Sequence, residues 1–235
     1  MSTQAIATAT KPAIAPATTP EAKELPGILF VWTNVDPAHD DDFNRWYDRE
    51  HVEERVNLPG FVSGTRYQSM KGPRQYLGLY RTTSLAAFKT PEYFKAFQQQ
   101  TPWSVTNLAR MRDPIRRVCS IDAEVGSGMG AWLAVLRLGN NEIGRDPAAV
   151  AKLGQKLLAL DGVVASRLLT PDVALSTPLP AENANGRVLD PILLIEASSE
   201  PAAANAVRLA AEQIGGELDG HAILQLSWQL LDQAA

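Results

Sequence analysis

Branched and aromatic residues crowd two short runs of the chain, "GILFVWTNV" at 27–35 and "GAWLAVLRL" at 130–138. Both read as β-strands. In the first run both alternating sets are apolar: Ile28, Phe30 and Trp32 on one side, Leu29, Val31 and Val35 on the other. A strand with that pattern is covered on both faces. The segments after each run repeat in the same order. A helical stretch leads to "LPGFVSGTRYQ" at 58–68 in the first half, and "DPAAVAKLGQKLLAL" leads to "LDGVVASRLLT" at 160–170 in the second. "YLGLYRTTSLAAF" at 76–88 is answered by "ILLIEASSEPAAA" at 192–204, each a strand running into a helix. One more strand closes each half, near 114–124 and at 221–231.

Both halves therefore read strand–helix–strand–strand–helix–strand, the split βαβ or ferredoxin-like unit. The dipeptides Pro59-Gly60 and Asp161-Gly162 fall at the same place in each, where glycine can take the positive φ that ends a helix or opens a strand. The connection between the second and third strands is short in the first half and long in the second, about 171–187. A four-stranded sheet that is apolar on both faces needs helices on one side and a second sheet on the other. The predicted fold is α+β: two tandem ferredoxin-like βαββαβ repeats closing on each other as an intrachain barrel. The expected division is a disordered Ala/Thr/Pro-rich leader (1–26), an N-terminal repeat (27–124) and a degenerate C-terminal repeat (125–235).

Composition narrows the function. The net charge is −4 with no Lys/Arg block, which argues against nucleic acid as a partner. No apolar run approaches the roughly 20 residues of a membrane span. A single cysteine, Cys119, excludes an intrachain disulfide and a Cys-based zinc site. A cytoplasmic protein acting on a small-molecule substrate is expected, with room for a homodimer of whole chains beyond the internal pair.

The densest chemistry lies at 43–61, "FNRWYDREHVEERVNLPGF". Phe43, Trp46, Tyr47 and Glu50 share one helical face, whereas Val52 and Val56 fall nearly opposite. One straight helix cannot bury both sets, so a break or tightened turn is expected near 51–52. His51 would then end the first segment, where the helix dipole and the nearby Asp48 and Glu50 would raise its pKa. His39 reads as part of a helix start, and a metal site shared with His51 is disfavoured by some 18 Å of helix between them. His221 opens the last strand and reads as surface. The second half carries no counterpart of this stretch.

The pattern F-x-x-W-Y-D-x-E-H-x-x-E-R-x-x-x-P-G-F between two strands resembles the EthD-like branch of the dimeric α+β barrel superfamily. The resemblance covers residues 27–124 and extends to the second half only as topology. Relatives commonly pair two separate chains, and where many carry Pro two positions after the His this chain has Glu53. The resemblance implies a small enzyme without cofactor: oxygenase, isomerase, cyclase, dehydratase or decarboxylase, with haem bound in some distant members. The leading expectation is lyase, isomerase or dehydratase chemistry without cofactor or metal, on an aromatic, polyketide or lactone-like substrate. His51 would move the proton, with Glu50 or Asp48 orienting it. Trp32, Asn34, Tyr47, Arg66, Tyr67, Tyr80 and Trp103 are the candidate substrate contacts. The rivals are a haem oxidoreductase or cofactor-free oxygenase of the same superfamily, and a non-catalytic binding or stress protein whose pocket is filled by its own side chains.

Overall fold

The computed structural model describes residues 24–69, 71–215 and 220–232. Most of the expected leader lies outside them, although the carbonyls of Leu25 and Pro26 already accept backbone bonds from Leu85 and Ile121. Eight antiparallel strands close into one barrel. They are β1 (Gly27–Val35), β2 (Phe61–Gln68), β3 (Tyr76–Thr82), β4 (Met111–Gly126), β5 (Trp132–Arg137), β6 (Val163–Pro171), β7 (Ile192–Ala197) and β8 (Ala222–Leu231). Around the barrel the order is β1-β3-β2-β8-β5-β7-β6-β4, with β4 returning to β1. Each half thus forms the sheet order 4-1-3-2 of a ferredoxin-like unit, and the halves are joined by the pairs β2–β8 and β4–β6.

The double apolar pattern of β1 is resolved by this closure. Ile28, Phe30 and Trp32 point into the barrel with Tyr67, Leu77, Leu133 and Leu224. Leu29, Val31 and Val35 point outward and are covered by helices. Those of the first half are α1 (Asp40–Trp46), a π-helical turn (Tyr47–His51), α2 (Val52–Val56), α3 (Pro91–Gln98) and α4 (Pro102–Ala109). The second half uses two plain helices, α5 (Pro147–Leu158) and α6 (Glu200–Ile214). Starts of α3 to α6 follow one rule: Thr90, Thr101, Asp146 and Ser199 each accept a first-turn N–H, with Pro in the opening turn. No helix among the described residues is long and apolar enough to cross a membrane.

The two halves match in detail. Gly60 and Gly162 both take left-handed φ, +83° and +84°. A Cβ there would press on Ala87 and Ala202 respectively, so each is confined to glycine by backbone and by neighbour. Asn34 at the end of β1 accepts from Gln75 N–H (2.8 Å) and donates to the Pro73 carbonyl (3.0 Å), pinning the β2–β3 connection. Arg137, its counterpart on β5, pairs with Asp190 at the end of the β6–β7 connection. That second connection, residues 172–191, crosses to the first half as a strap. Leu179 is buried in the first half's helix–sheet core. Glu182 receives Arg117 and Arg187, each at 2.6 Å.

Candidate active site

From Asp40 to Val56 the chain is continuous helix rather than two broken pieces. The irregularity expected near 51–52 is a widened turn in which Val52 N–H bonds to the Tyr47 carbonyl, five residues back. Turns of this kind are rare and recur at functional sites. The extra residue rotates the helix so that Trp46, Tyr47, His51, Val52, Arg55 and Val56 are all buried. The patterning conflict is thus met by a shift of one residue.

His51 is 7% exposed and lies among aromatics. Ring centroids are 4.2 Å from Trp46 at 30°, 5.2 Å from Tyr47 at 83° and 6.1 Å from Tyr80 at 87°. Its Nδ1 has no hydrogen-bond partner. Burial, then the positive Arg55 and Arg66, hold the ring's pKa well below the usual 6.5. This reverses the expected upward shift. The helix runs on through α2, so no dipole end lies at His51, and neither acid faces it.

Glu50 accepts from Thr101 Oγ1 (2.6 Å) and Ser104 Oγ (3.1 Å), and Ser104 in turn accepts from Trp46 Nε1 (3.0 Å). It fastens the π turn to the start of α4. Asp48 is half-exposed, accepts from Trp228 Nε1 (2.8 Å) and lies 3.7 Å from Arg66. Neither acid orients the imidazole.

The remaining candidates divide between three places. Tyr47 and Tyr80 stand beside His51, and the buried Tyr80 hydroxyl has the Tyr47 hydroxyl as its polar neighbour. Burial and then Tyr47 push the Tyr80 phenol well up, so it keeps its proton. Arg66 is buried behind Tyr47, its guanidinium 3.9 Å from that ring, with Asn44 accepting at 3.1 Å. Trp103, on the first turn of α4, donates to Asp42 and packs against the helix core, away from His51. Asn34 is spent on the β2–β3 connection. Trp32 and Tyr67 lie inside the barrel.

Two residues of the His51 site escaped sequence reasoning. Arg55, one helical turn beyond His51, is 4% exposed. Its Nη1 has no partner, and it makes no salt bridge among the described residues. The i, i+4 spacing from His51 was the available signal. Arg116 on β4 donates to the Leu175 and Thr177 carbonyls (2.9 and 3.0 Å) and to Tyr93 Oη (2.7 Å), closing the strap over the site. Beneath it is a cavity of about 30 Å³, floored by Leu29 and Val31 and bounded by His51, Arg55, Phe97 and Leu179. That is room for one or two water-sized molecules.

A larger cavity lies elsewhere, at one mouth of the barrel, about 640 Å³. Its charges are paired off. Arg81 grips Glu124 with both terminal nitrogens (2.9 and 3.0 Å), and Arg167 bridges Glu124 (2.6 Å) and Glu196 (3.0 Å). Tyr67 donates to Glu196 at 3.4 Å. Arg81 and Arg167 hold the Glu124 carboxyl down at about 2. No group of three or more His, Cys, Asp or Glu able to hold a metal occurs among the described residues.

No protein-family model matches the sequence, and no curated protein does. Solved structures do match. An anthrone oxidase-like protein aligns over 91% of this chain and 95% of its own, with 11% identity and a TM-score of 0.61. A protein of Fusobacterium nucleatum subsp. nucleatum named as a candidate monooxygenase aligns over 89% and 96%, with 9% identity and a TM-score of 0.55. The fold is the dimeric α+β barrel. In this chain the pair of repeats is fused. A chlorite dismutase variant from Candidatus Nitrospira defluvii aligns over 88% and 93%, with 11% identity and a TM-score of 0.51.

Haem, expected in some distant members, does not fit beside His51. The ring faces are taken by Trp46 and flanked by Tyr47 and Tyr80, and two guanidinium groups lie close by. The adjoining space of about 30 Å³ would have to grow far more for a porphyrin than for a single substituted ring. Widening it to a porphyrin slot would break the buried Arg116 bonds to the strap.

Proposed function

We propose that this protein is a small-molecule enzyme that works by proton abstraction, with His51 as the base. The single observation that carries this reading is the buried His51 Nδ1, which has no partner and belongs to a ring that lines a cavity. An unmade hydrogen bond in a buried site costs about 1–3 kcal/mol. Such a cost is tolerated where a ligand completes the bonds. The neutral imidazole can accept a proton from a C–H or O–H group made acidic by a neighbouring carbonyl or ring. The Tyr47 phenol, which lines the same cavity and which burial keeps protonated, can donate to the oxygen on which charge develops. Returning the proton to another atom is isomerisation, and expelling a leaving group from the anion is lyase or dehydratase chemistry.

A second outcome of the same first step is supported by the space of about 30 Å³ beside the base, which matches dioxygen in size. The names of the anthrone oxidase-like and monooxygenase-like neighbours point the same way. A substrate carbanion that captures dioxygen needs no other reductant: a CH₂ group and O₂ become C=O and water. A pocket wholly filled by its own side chains would favour a binding role; here the unpartnered His51 Nδ1 favours chemistry. The cavity as it stands holds one or two water-sized molecules, so a ring-bearing substrate requires the half-buried Phe97 and Gln100 at its edge to move aside.

The test isolates the first step. Enolisable aromatic ketones and anthrone-type phenols are incubated in D₂O with the protein, and exchange of the activated C–H is read by NMR beside an oxygen electrode. Exchange or oxygen uptake that disappears in His51→Phe supports the reading. Equal rates in both proteins overturn it.

A further inference from the structure

We infer that Arg55 is the receptor for a carboxylate carried by the substrate, so that the site takes small organic acids; this deepens the proposal of His51 as base and rests on it. Arg55 is buried on the helix turn after His51 and borders the same cavity. A buried guanidinium is ordinarily paired and hydrogen-bonded, because an isolated charge in the interior is costly. The other buried arginines obey that rule. Arg66 has Asn44 and Asp48, Arg116 has the strap carbonyls, and Arg117 has Glu182. Arg55 has no such partner, and Nη1 is wholly enclosed.

No acid on the surrounding elements forms an ion pair with Arg55, although the neighbouring Glu54 feels its charge. Glu50, on the same helix, is committed to Thr101 and Ser104. Glu54, next in the chain, forms no ion pair with Arg55. The cavity wall contains two guanidinium groups, Arg55 and Arg116, one imidazole and no carboxylate. Guanidinium presents a planar fork that matches a carboxylate, and the charge-assisted bonds so formed are the strong ones. A substrate carboxylate at Arg55 would set its neighbouring C–H or O–H against His51, one helical turn away. It would also cancel part of the positive field that opposes protonation of the imidazole.

Binding can be measured without turnover, which separates this inference from the role of His51. Benzoate and its neutral isostere benzamide are titrated into the full-length protein by calorimetry, with Trp46 fluorescence as a second signal. Benzoate is expected to bind roughly ten- to hundredfold more tightly, the range of one charge-assisted hydrogen bond. Arg55→Met should abolish that preference and hold or raise the melting temperature, because it removes an uncompensated buried charge. His51→Phe should keep the preference even though the base is gone. Arg55→Lys, which keeps charge without the fork, should retain only part of it. Equal affinities for the two probes, or a preference that survives Arg55→Met, would overturn the assignment. So would a melting temperature lowered by several degrees in Arg55→Met, which would mark the guanidinium as structural.

Discussion

The imidazole of His51 stacks on the indole of Trp46, with centroids 4.2 Å apart and planes inclined by 30°. Trp46 is itself fixed through Ser104 and Glu50 to the start of α4. The candidate base is therefore held by an aromatic face, and the nearby carboxylate acts one layer further out. If His51 is the base, His51→Phe keeps the stack and removes a buried atom without a partner. Turnover should fall by roughly 10²–10⁴, while the melting temperature stays level or rises. A variant that unfolds would make the ring structural. One that keeps full turnover would end its role as base.

The acid limb of activity is set by the same geometry. A base works in its neutral form, and burial with Arg55 and Arg66 keeps His51 neutral well below pH 6.5. The rise of kcat/KM with pH, which reports the free enzyme, should therefore be complete before the pH at which an ordinary histidine titrates. A limb centred at or above 6.5 would show that the working group is another residue.

Stability carries the opposite face of that shift. The folded-state pKa of His51 is depressed, so the unfolded chain binds the extra proton first. Its contribution is fully present above about pH 6.5 and is lost as pH falls toward the folded-state value. The slope of unfolding free energy from this one group approaches about 1.4 kcal/mol per pH unit. Denaturant midpoints measured from pH 7.5 downward should fall more steeply in the wild type than in His51→Phe. Parallel curves would refute the shift.

The architecture was legible in the chain because it is written twice. Strand order, the paired glycines at 60 and 162 and the two apolar sets of β1 are local patterns repeated at a near-constant offset. Closure is then required to cover the inner set. The π turn was half legible: opposed apolar faces demanded an irregularity, but periodicity cannot tell a break from a one-residue shift. The partners of Glu50 were not legible, since Thr101 and Ser104 lie more than fifty positions away and carry no charge. Nor was the isolation of Arg55, because an arginine in a charged helix reads as solvated until its neighbours in space are known.

Glu50 is expected to matter for stability. Its carboxylate joins Thr101 and Ser104, the cap and first turn of α4, to the π turn. Glu50→Ala leaves both hydroxyls short of an acceptor and should cost about 1–3 kcal/mol. With Trp46 still packed against His51, kcat should change by less than tenfold, a limit set by the about 1.4 kcal/mol that tenfold represents. A loss comparable to that of His51→Phe, with stability unchanged, would return Glu50 to the catalytic group.

Neither repeat should fold alone. The inner faces of both sheets form a single core, in which Phe30, Trp32 and Leu77 from the first half meet Leu133, Leu194 and Leu224 from the second. Cutting between β4 and β5 would strip that core from each half and leave two open edges on each, β2 and β4 on the first, β8 and β6 on the second. Unpaired edges beside an exposed apolar face favour aggregation. The first half would also lose Leu179 and the strap that Arg116 and Arg117 hold. Residues 24–126 and 127–232 expressed separately should be insoluble or self-paired, and mixing them during refolding should restore a one-to-one complex with the melting temperature of the intact chain, lowered by the cost of association. A soluble, monomeric first half with dispersed amide resonances would show that one sheet can leave its inner face in water, and would remove closure as the source of the fold's stability.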